Sequence, residues 1–166
     1  MAPLRRFPVV ALLLVALLLV AVPAQAKSAW RFHLPPTQPE SDALRLINQV
    51  RAQHGLQPLR RRGDLFHAAR DHSRDMARND DFAHGAMLAR LMDYVEHDYV
   101  VVGENIAWGS GDQSSAESTV ARWLASPPHR ANILDPDYRY IGIGSKLADG
   151  YQGEETARVF TVDFGG

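Results

Sequence analysis

The chain of 166 residues contains no cysteine, little aromatic side chain (8%) and no excess of charge of either sign, with 18 Lys and Arg against 19 Asp and Glu. Without Cys there is no disulfide framework, no thiolate metal site, no cysteine nucleophile and no lipid-acylated Cys near the N-terminus. Charge balance removes the general electrostatic reason to expect nucleic acid or an anionic membrane as partner. Several catalytic and binding signatures are also missing: no H-E-x-x-H, no phosphate-binding Gly-rich loop, no G-x-S-x-G and no EF-hand loop. The one long hydrophobic run, residues 9–22, is too short to be a good membrane span, which needs about 20 apolar residues.

That run lies behind Arg5 and Arg6 and ahead of Ala24-Gln25-Ala26, the order of a secretory signal peptide with cleavage after Ala26. Arg5-Arg6 is a poor twin-arginine match, so export by the Sec route to periplasm or medium is expected, with no membrane anchor left after cleavage. Removing 26 residues, Arg5 and Arg6 among them, leaves 140 with 16 basic and 19 acidic side chains. A chain of that length makes one domain and buries a core without covalent staples. Residues 27–40, with Pro35, Pro36 and Pro39, read as an extended lead-in, and the domain is expected over 41–166.

Within it, Ser41 as cap, Leu44, Ile47 and Val50 at helical spacing and Gly55 beyond the end predict a helix over 41–54. Asp64 as cap, then Leu65, Ala68, Ala69, His72 and Met76, predict a second to about Arg78. Arg60-Arg61-Arg62 before it reads as a solvated loop. A short helix fits 86–95, and the β-branched stretch 100–108 reads as a strand ended by Gly109-Ser110-Gly111. Ser114 and Glu117 suggest a capping box opening a helix with Val120, Trp123 and Leu124 inward, and Ser126 with Pro127 opens a shorter one to Leu134. Residues 140–147 and 158–164 read as a hairpin. The order of elements favours an α+β sandwich over a doubly wound parallel sheet.

Of the seven His, five have ordinary readings: His33 in the lead-in, His54 by a helix end, His97 between acidic neighbours, and His67 and His72, which are about 140° apart around one helix and cannot share a metal. His84, beside Gly85, and His129, in the first turn of the short helix, are the candidates; a helix N-terminus disfavours imidazolium and keeps His129 able to bind metal or act as a base. Glu104 is the third, because a carboxylate inside a Val and Ile strand is expensive without a partner.

The phrases Phe82-Ala83-His84-Gly85, Gly103-Glu104-Asn105-Ile106-Ala107, Trp123 through Leu134 and Tyr140-Ile141-Gly142-Ile143-Gly144 resemble the bacterial branch of the CAP superfamily, that of cysteine-rich secretory, antigen 5 and pathogenesis-related proteins, over about residues 41–165. The resemblance implies a three-layer α-β-α sandwich with a central, mainly antiparallel sheet, and a cleft where His84, Glu104 and His129 converge. It implies a divalent metal, chiefly zinc, on the two His. This chain departs from animal and plant members in lacking disulfides and in carrying Ser126 where they tend to have a second Glu, which makes a weak, exchangeable ion the expectation; Glu117, upstream of Trp123, is a poor substitute.

Three functions remain open. One is a secreted binding module for a metal, small molecule, lipid, glycan or protein, with Trp108 at the rim of the cleft, Tyr138 and Tyr140 as further candidates and Trp123 better placed in the core. Another is a metal-dependent hydrolase with Glu104 as general base. The last is a buried hydrogen-bonded cluster of His84, Glu104 and His129 with no ligand.

Overall fold

The computed structural model describes residues 35–94 and 99–166. Helix α1 (Gln38–Gln53) begins one turn earlier than Ser41. Its cap is Thr37, in a capping box with Glu40, and Pro39 sits in the first turn, where a missing N–H costs nothing. Ser41 lies inside the helix, its N–H on the Thr37 carbonyl at 3.0 Å. Gly55 takes the expected left-handed conformation at φ 71°. Glu40 is buried because it is fully used: it accepts from the Thr37 and Ser145 N–H groups (2.7 and 3.1 Å) and forms a two-pronged pair with Arg70 (2.9 and 2.7 Å).

Strand β1 (Arg60–Arg61) pairs in parallel with the start of β3 (Tyr140–Asp149). Arg60 and Arg61 are therefore strand and not loop, although both stay exposed to solvent as expected. Arg60 and Arg62 lie over the Tyr140 ring and Arg61 over Phe66 at 4.1 Å, so stacking holds the guanidinium groups that local polarity alone would send to water. Helix α2 (Gly63–Asn79) follows, capped by Arg62 rather than Asp64; the Asp64 carboxylate instead accepts from the Leu65 N–H (2.8 Å) and the Tyr99 hydroxyl (3.0 Å). A short α3 (Met87–Met92) leads to β2 (Val102–Ser110).

Strand β2 runs two residues past its expected end. Gly109 is no breaker: it pairs with Arg158, and a Cβ there would overlap the Gln113 backbone, which folds back in a 3-10 turn at Gly111–Ser114. Helix α4 (Ala116–Ala125) is capped by Ser115, whose hydroxyl accepts from the Ser118 N–H at 3.1 Å. The expected box of Ser114 and Glu117 does not form. Ser114 closes the preceding turn by donating to Gly111, and Glu117 reaches toward Arg45. Helix α5 (Pro127–Leu134) starts on Pro127 as expected, and β3 and β4 (Thr156–Gly165) form the hairpin.

The sheet order is β1-β3-β4-β2, antiparallel except for the β1 pairing, so β2 is an edge strand. Helices α1, α4 and α5 cover one face through Ala43, Ile47, Val120, Trp123 and Ile133, packed on Ile141, Ile143, Phe160, Val162 and Phe164. Helix α2 covers the other. Alternation along Tyr140-Ile141-Gly142-Ile143-Gly144 serves both layers: the two Ile enter the first core, while the two Gly leave no room for even a Cβ, which would overlap the α2 backbone at Leu65 and Ala69. With helix and strand this close, the Ser73 hydroxyl bridges to Gly144 and Thr161. The result is an α-β-α sandwich with β2 at one edge of the sheet.

Candidate functional site

Side chains of β2 alternate, and Glu104, Ile106 and Trp108 share the α2 face. Glu104 stands opposite Asp163 of β4, which places two carboxyls side by side in the interior. Arg90 of α3 answers them. Its guanidinium pairs with Glu104 Oε2, reaches Asp163 Oδ1 at 3.2 Å and donates to the His84 carbonyl at 3.4 Å. The Asp163 carboxyl is pushed well above the usual carboxylate range, by burial first, while Arg90 opposes the shift and Glu104 adds to it. Asp163 is thereby shifted toward its protonated form, and Glu104 is the carboxyl that Arg90 contacts most closely.

The other oxygen, Glu104 Oε1, lies 2.7 Å from His84 Nδ1. A buried carboxylate accepting from Nδ1–H fixes the ring and leaves Nε2 facing outward, on a side chain that is 53% exposed. His72 Nε2 lies 3.6 Å from Glu104 Oε2. Its pKa is lowered by burial and by Arg90, so the ring is neutral.

His129 is in the first turn of α5. Its Nδ1 lies 2.9 Å from the Ser126 hydroxyl, which turns to the imidazole instead of capping the helix. Its pKa is lowered by burial and then by His84, which places the two imidazoles within electrostatic reach of each other. A chain of amides ties His129 to Glu104: Asn105 donates to the His129 carbonyl (3.0 Å), and Asn132 donates to Asn105 Oδ1 (2.9 Å) and to the Glu104 carbonyl (3.1 Å).

A cleft of about 510 Å³ opens along the free edge of β2, lined by Phe82, Ile106, Trp108, Gln113, Arg122, Ser126, His129 and Glu154 among others. His129 and Trp108 line it; His84 and Glu104 do not. Trp108 packs edge-on against Tyr151. Tyr138 does not reach the rim, being buried and stacked on Phe164, and Tyr140 leans on Tyr99 on the far side of the sheet order from β2. Trp123 is a core residue, 1% exposed, as its place on the inner face of the helix predicts.

The donors do not fit a resident three-ligand zinc. Glu104 spends one oxygen on His84 and the other on Arg90, and among the described residues no three His, Asp or Glu side chains are placed to hold one ion. What remains is two imidazole Nε2 atoms. Sequence reasoning missed Arg90, Asp163 and His72. Asp163 carried the same signal as Glu104, an acid in the apolar run 159–164, whereas Arg90 lay in a stretch with little pattern. His33 and His97 lie outside the described residues, as do residues 1–26.

The CAP: Cysteine-rich secretory protein family description matches residues 44–164. Two Bacillus subtilis proteins are similar in sequence: an uncharacterized membrane protein, YlbC, 36% identical over 112 residues (65% of this chain), and an uncharacterized protein, YkwD, 35% identical over 109 (63%). The matched stretch is 32% and 41% of the length of those relatives. Among solved structures, an outer surface protein of Borrelia burgdorferi superposes with a TM-score of 0.64 at 19% identity, covering 80% of this chain and 95% of that one. An extracellular protein containing a SCP domain from Bacillus anthracis gives 0.62 at 24%, covering 79% and 44%. These likenesses show the fold. No helix among the described residues is long and apolar enough to cross a membrane. With the family's description spanning its helices, its sheet and both His84 and His129, the chain belongs to the cysteine-rich secretory protein (CAP) family.

Proposed function

We propose that this protein is an exported binding module whose cleft along β2 takes a glycan. The observation that carries this reading is the wall chemistry of the cleft: Phe82, 39% exposed, and Trp108 supply aromatic rings, and the same walls carry the planar polar groups of Gln113, Arg122, His129 and Glu154. Aromatic faces stack on sugar rings, and amide, guanidinium, imidazole and carboxylate groups hydrogen-bond hydroxyls in both directions. An open groove whose apolar and aromatic surface is interrupted by polar groups suits a chain-like ligand. A lipid is less well served, since the apolar cavity between α1 and β3, lined by Leu44, Phe66, Ile141 and Ile143, holds about 210 Å³, below the usual range of about 300–1,000 Å³ for small-molecule sites.

Hydrolysis by Glu104 has weaker support. The side chain is 1% exposed, does not line the cleft and is neutralised by Arg90, so its work is to hold His84 and to anchor α3 to the sheet. A divalent ion, in this reading, is held by His84 and His129 alone and exchanges readily. Calorimetric titration with tetrasaccharides of β-linked hexoses and hexosamines tests the proposal. At least one should bind the wild type and bind Phe82→Ala about tenfold more weakly, the loss of one stacked ring. No binding of any tetrasaccharide at millimolar concentration overturns it.

A further inference from the structure

We infer that the ligand of this cleft carries N-acetyl groups, an inference that rests on the glycan reading above. The argument begins with the edge of β2. In an extended strand the N–H and C=O of one residue point to the same side. The carbonyl of Ile106 accepts from the Trp123 indole (3.0 Å) and that of Trp108 from Arg122 (2.7 Å), so both residues direct their backbone groups away from β4 and toward the cleft. Their carbonyls are satisfied. Their N–H groups are not: no backbone or side-chain acceptor among the described residues meets either one. The Ile106 side chain is packed in the core while its backbone edge lines the cleft, so these N–H groups are met there by solvent or by an acceptor on the ligand.

The same edge discourages a peptide strand, which would have to donate to carbonyls that Trp123 and Arg122 already occupy. It favours a group that accepts without donating along that line and is apolar beside it. An acetamido group does both: its carbonyl oxygen accepts from a strand N–H, and its methyl rests on Ile106 and Trp108. Charge points the same way. Arg122 has no carboxylate partner among the described residues, and burial is what displaces its pKa. A free amino sugar would bring an ammonium beside that guanidinium unless it turned toward Glu154 on the cleft wall; acetylation removes the charge.

Nitrogen-15 amide spectra of the protein, recorded with the β-1,4-linked tetramers of N-acetylglucosamine, glucosamine and glucose, test the inference without altering any residue. The N-acetylated tetramer should bind about tenfold more tightly than the glucose tetramer, the worth of one hydrogen bond to an otherwise unpaired donor, and should move the Ile106 or Trp108 amide proton downfield. The glucosamine tetramer should bind more weakly than either. If glucose and N-acetylglucosamine tetramers bind equally and neither amide moves, the inference falls while the glycan reading stands. If none of the three binds and no other glycan does, both fall.

Discussion

Replacing Arg90 with Met should be among the most destabilising changes available in this domain. Met keeps much of the side chain's bulk and removes its charge, so the loss reports the electrostatics of the cluster. Glu104 and Asp163 side chains are 1% and 0% exposed, and Arg90 is 15% exposed. The pair worked here is Arg90 with Glu104, the carboxyl it contacts most closely, since burial shifts Asp163 toward its neutral form. At about 3 Å and an effective dielectric of about 20, that pair is worth roughly 5 kcal/mol of Coulomb energy. Removing one partner of a buried pair costs about 3–5 kcal/mol, because the other charge is left without solvent or counterion. Total stability of such a domain is of order 5–15 kcal/mol, so Arg90→Met should lower the urea midpoint sharply. The control lies in the partner: Glu104→Gln in the same chain removes the stranded charge and should recover most of the loss. Helix α3 retains Leu91, 1% exposed, as its apolar anchor in both variants. A single variant within about 1 kcal/mol of wild type, or a double variant no more stable than the single, would refute the account of Arg90 as the counterion of Glu104.

Gly142→Ala should cost about 1–3 kcal/mol or more, since its Cβ meets the α2 backbone at Leu65 and not a yielding side chain; denaturant unfolding reads it, and a neutral outcome would contradict the close approach of α2 to β3. Folded His72 and His129 both have lowered pKa values, so the unfolded chain takes up protons first on acidification, near pH 6.5. Their contribution is complete above that pH and is lost as pH falls through the folded values, at up to about 1.4 kcal/mol per pH unit for each proton. The raised Asp163 acts in the opposite sense, its contribution being lost as pH rises, so melts of wild type and His72→Gln between pH 7.5 and 5.5 should be compared: the variant should show the shallower loss on acidification. Zinc, offered two imidazoles and no free carboxylate, should bind in about the high-micromolar range or more weakly at pH 7.5 and not at pH 5.5; a nanomolar complex by calorimetry would show that Glu104 leaves Arg90 for the metal.

Much of this architecture was legible because the signals were local. Trp123 and Val120 at helical spacing, Pro127 at a helix start and the Ile-Gly alternation after Tyr140 each carry their physical reason within a few residues. The errors were also local. Thr37 with Glu40 is as good a capping box as any in the chain, but the Pro density around it suggested coil, although Pro39 in a first turn is compatible with helix. Arg60 and Arg61 form a strand because Tyr140 and Ile141, 80 positions away, pair with them, and Tyr140 adds an aromatic face for Arg60. The site divides the same way. Glu104 stood out as an acid among Val and Ile, but its partners come from α3, β4 and α2, and a period or a spacing cannot announce a contact that only the sheet register and a packed helix create.

Strand β2 shows how the dense phrase from Trp123 to Asn132 comes to be written. A nine-residue edge strand with open carbonyls invites pairing with another chain, and here three of them are closed in turn: Glu104 by Asn132, Ile106 by Trp123, Trp108 by Arg122. The donors come from α4 and α5, so the same helices that bury the first core also seal the edge, and Asn105 returns a bond to the His129 carbonyl at the turn between those tasks. Sealing carbonyls alone leaves the N–H side chemically open. An edge treated this way is closed to a β-strand, which must both donate and accept, but open to a ligand that only accepts; the selectivity proposed for the cleft follows from how the fold protects itself against aggregation.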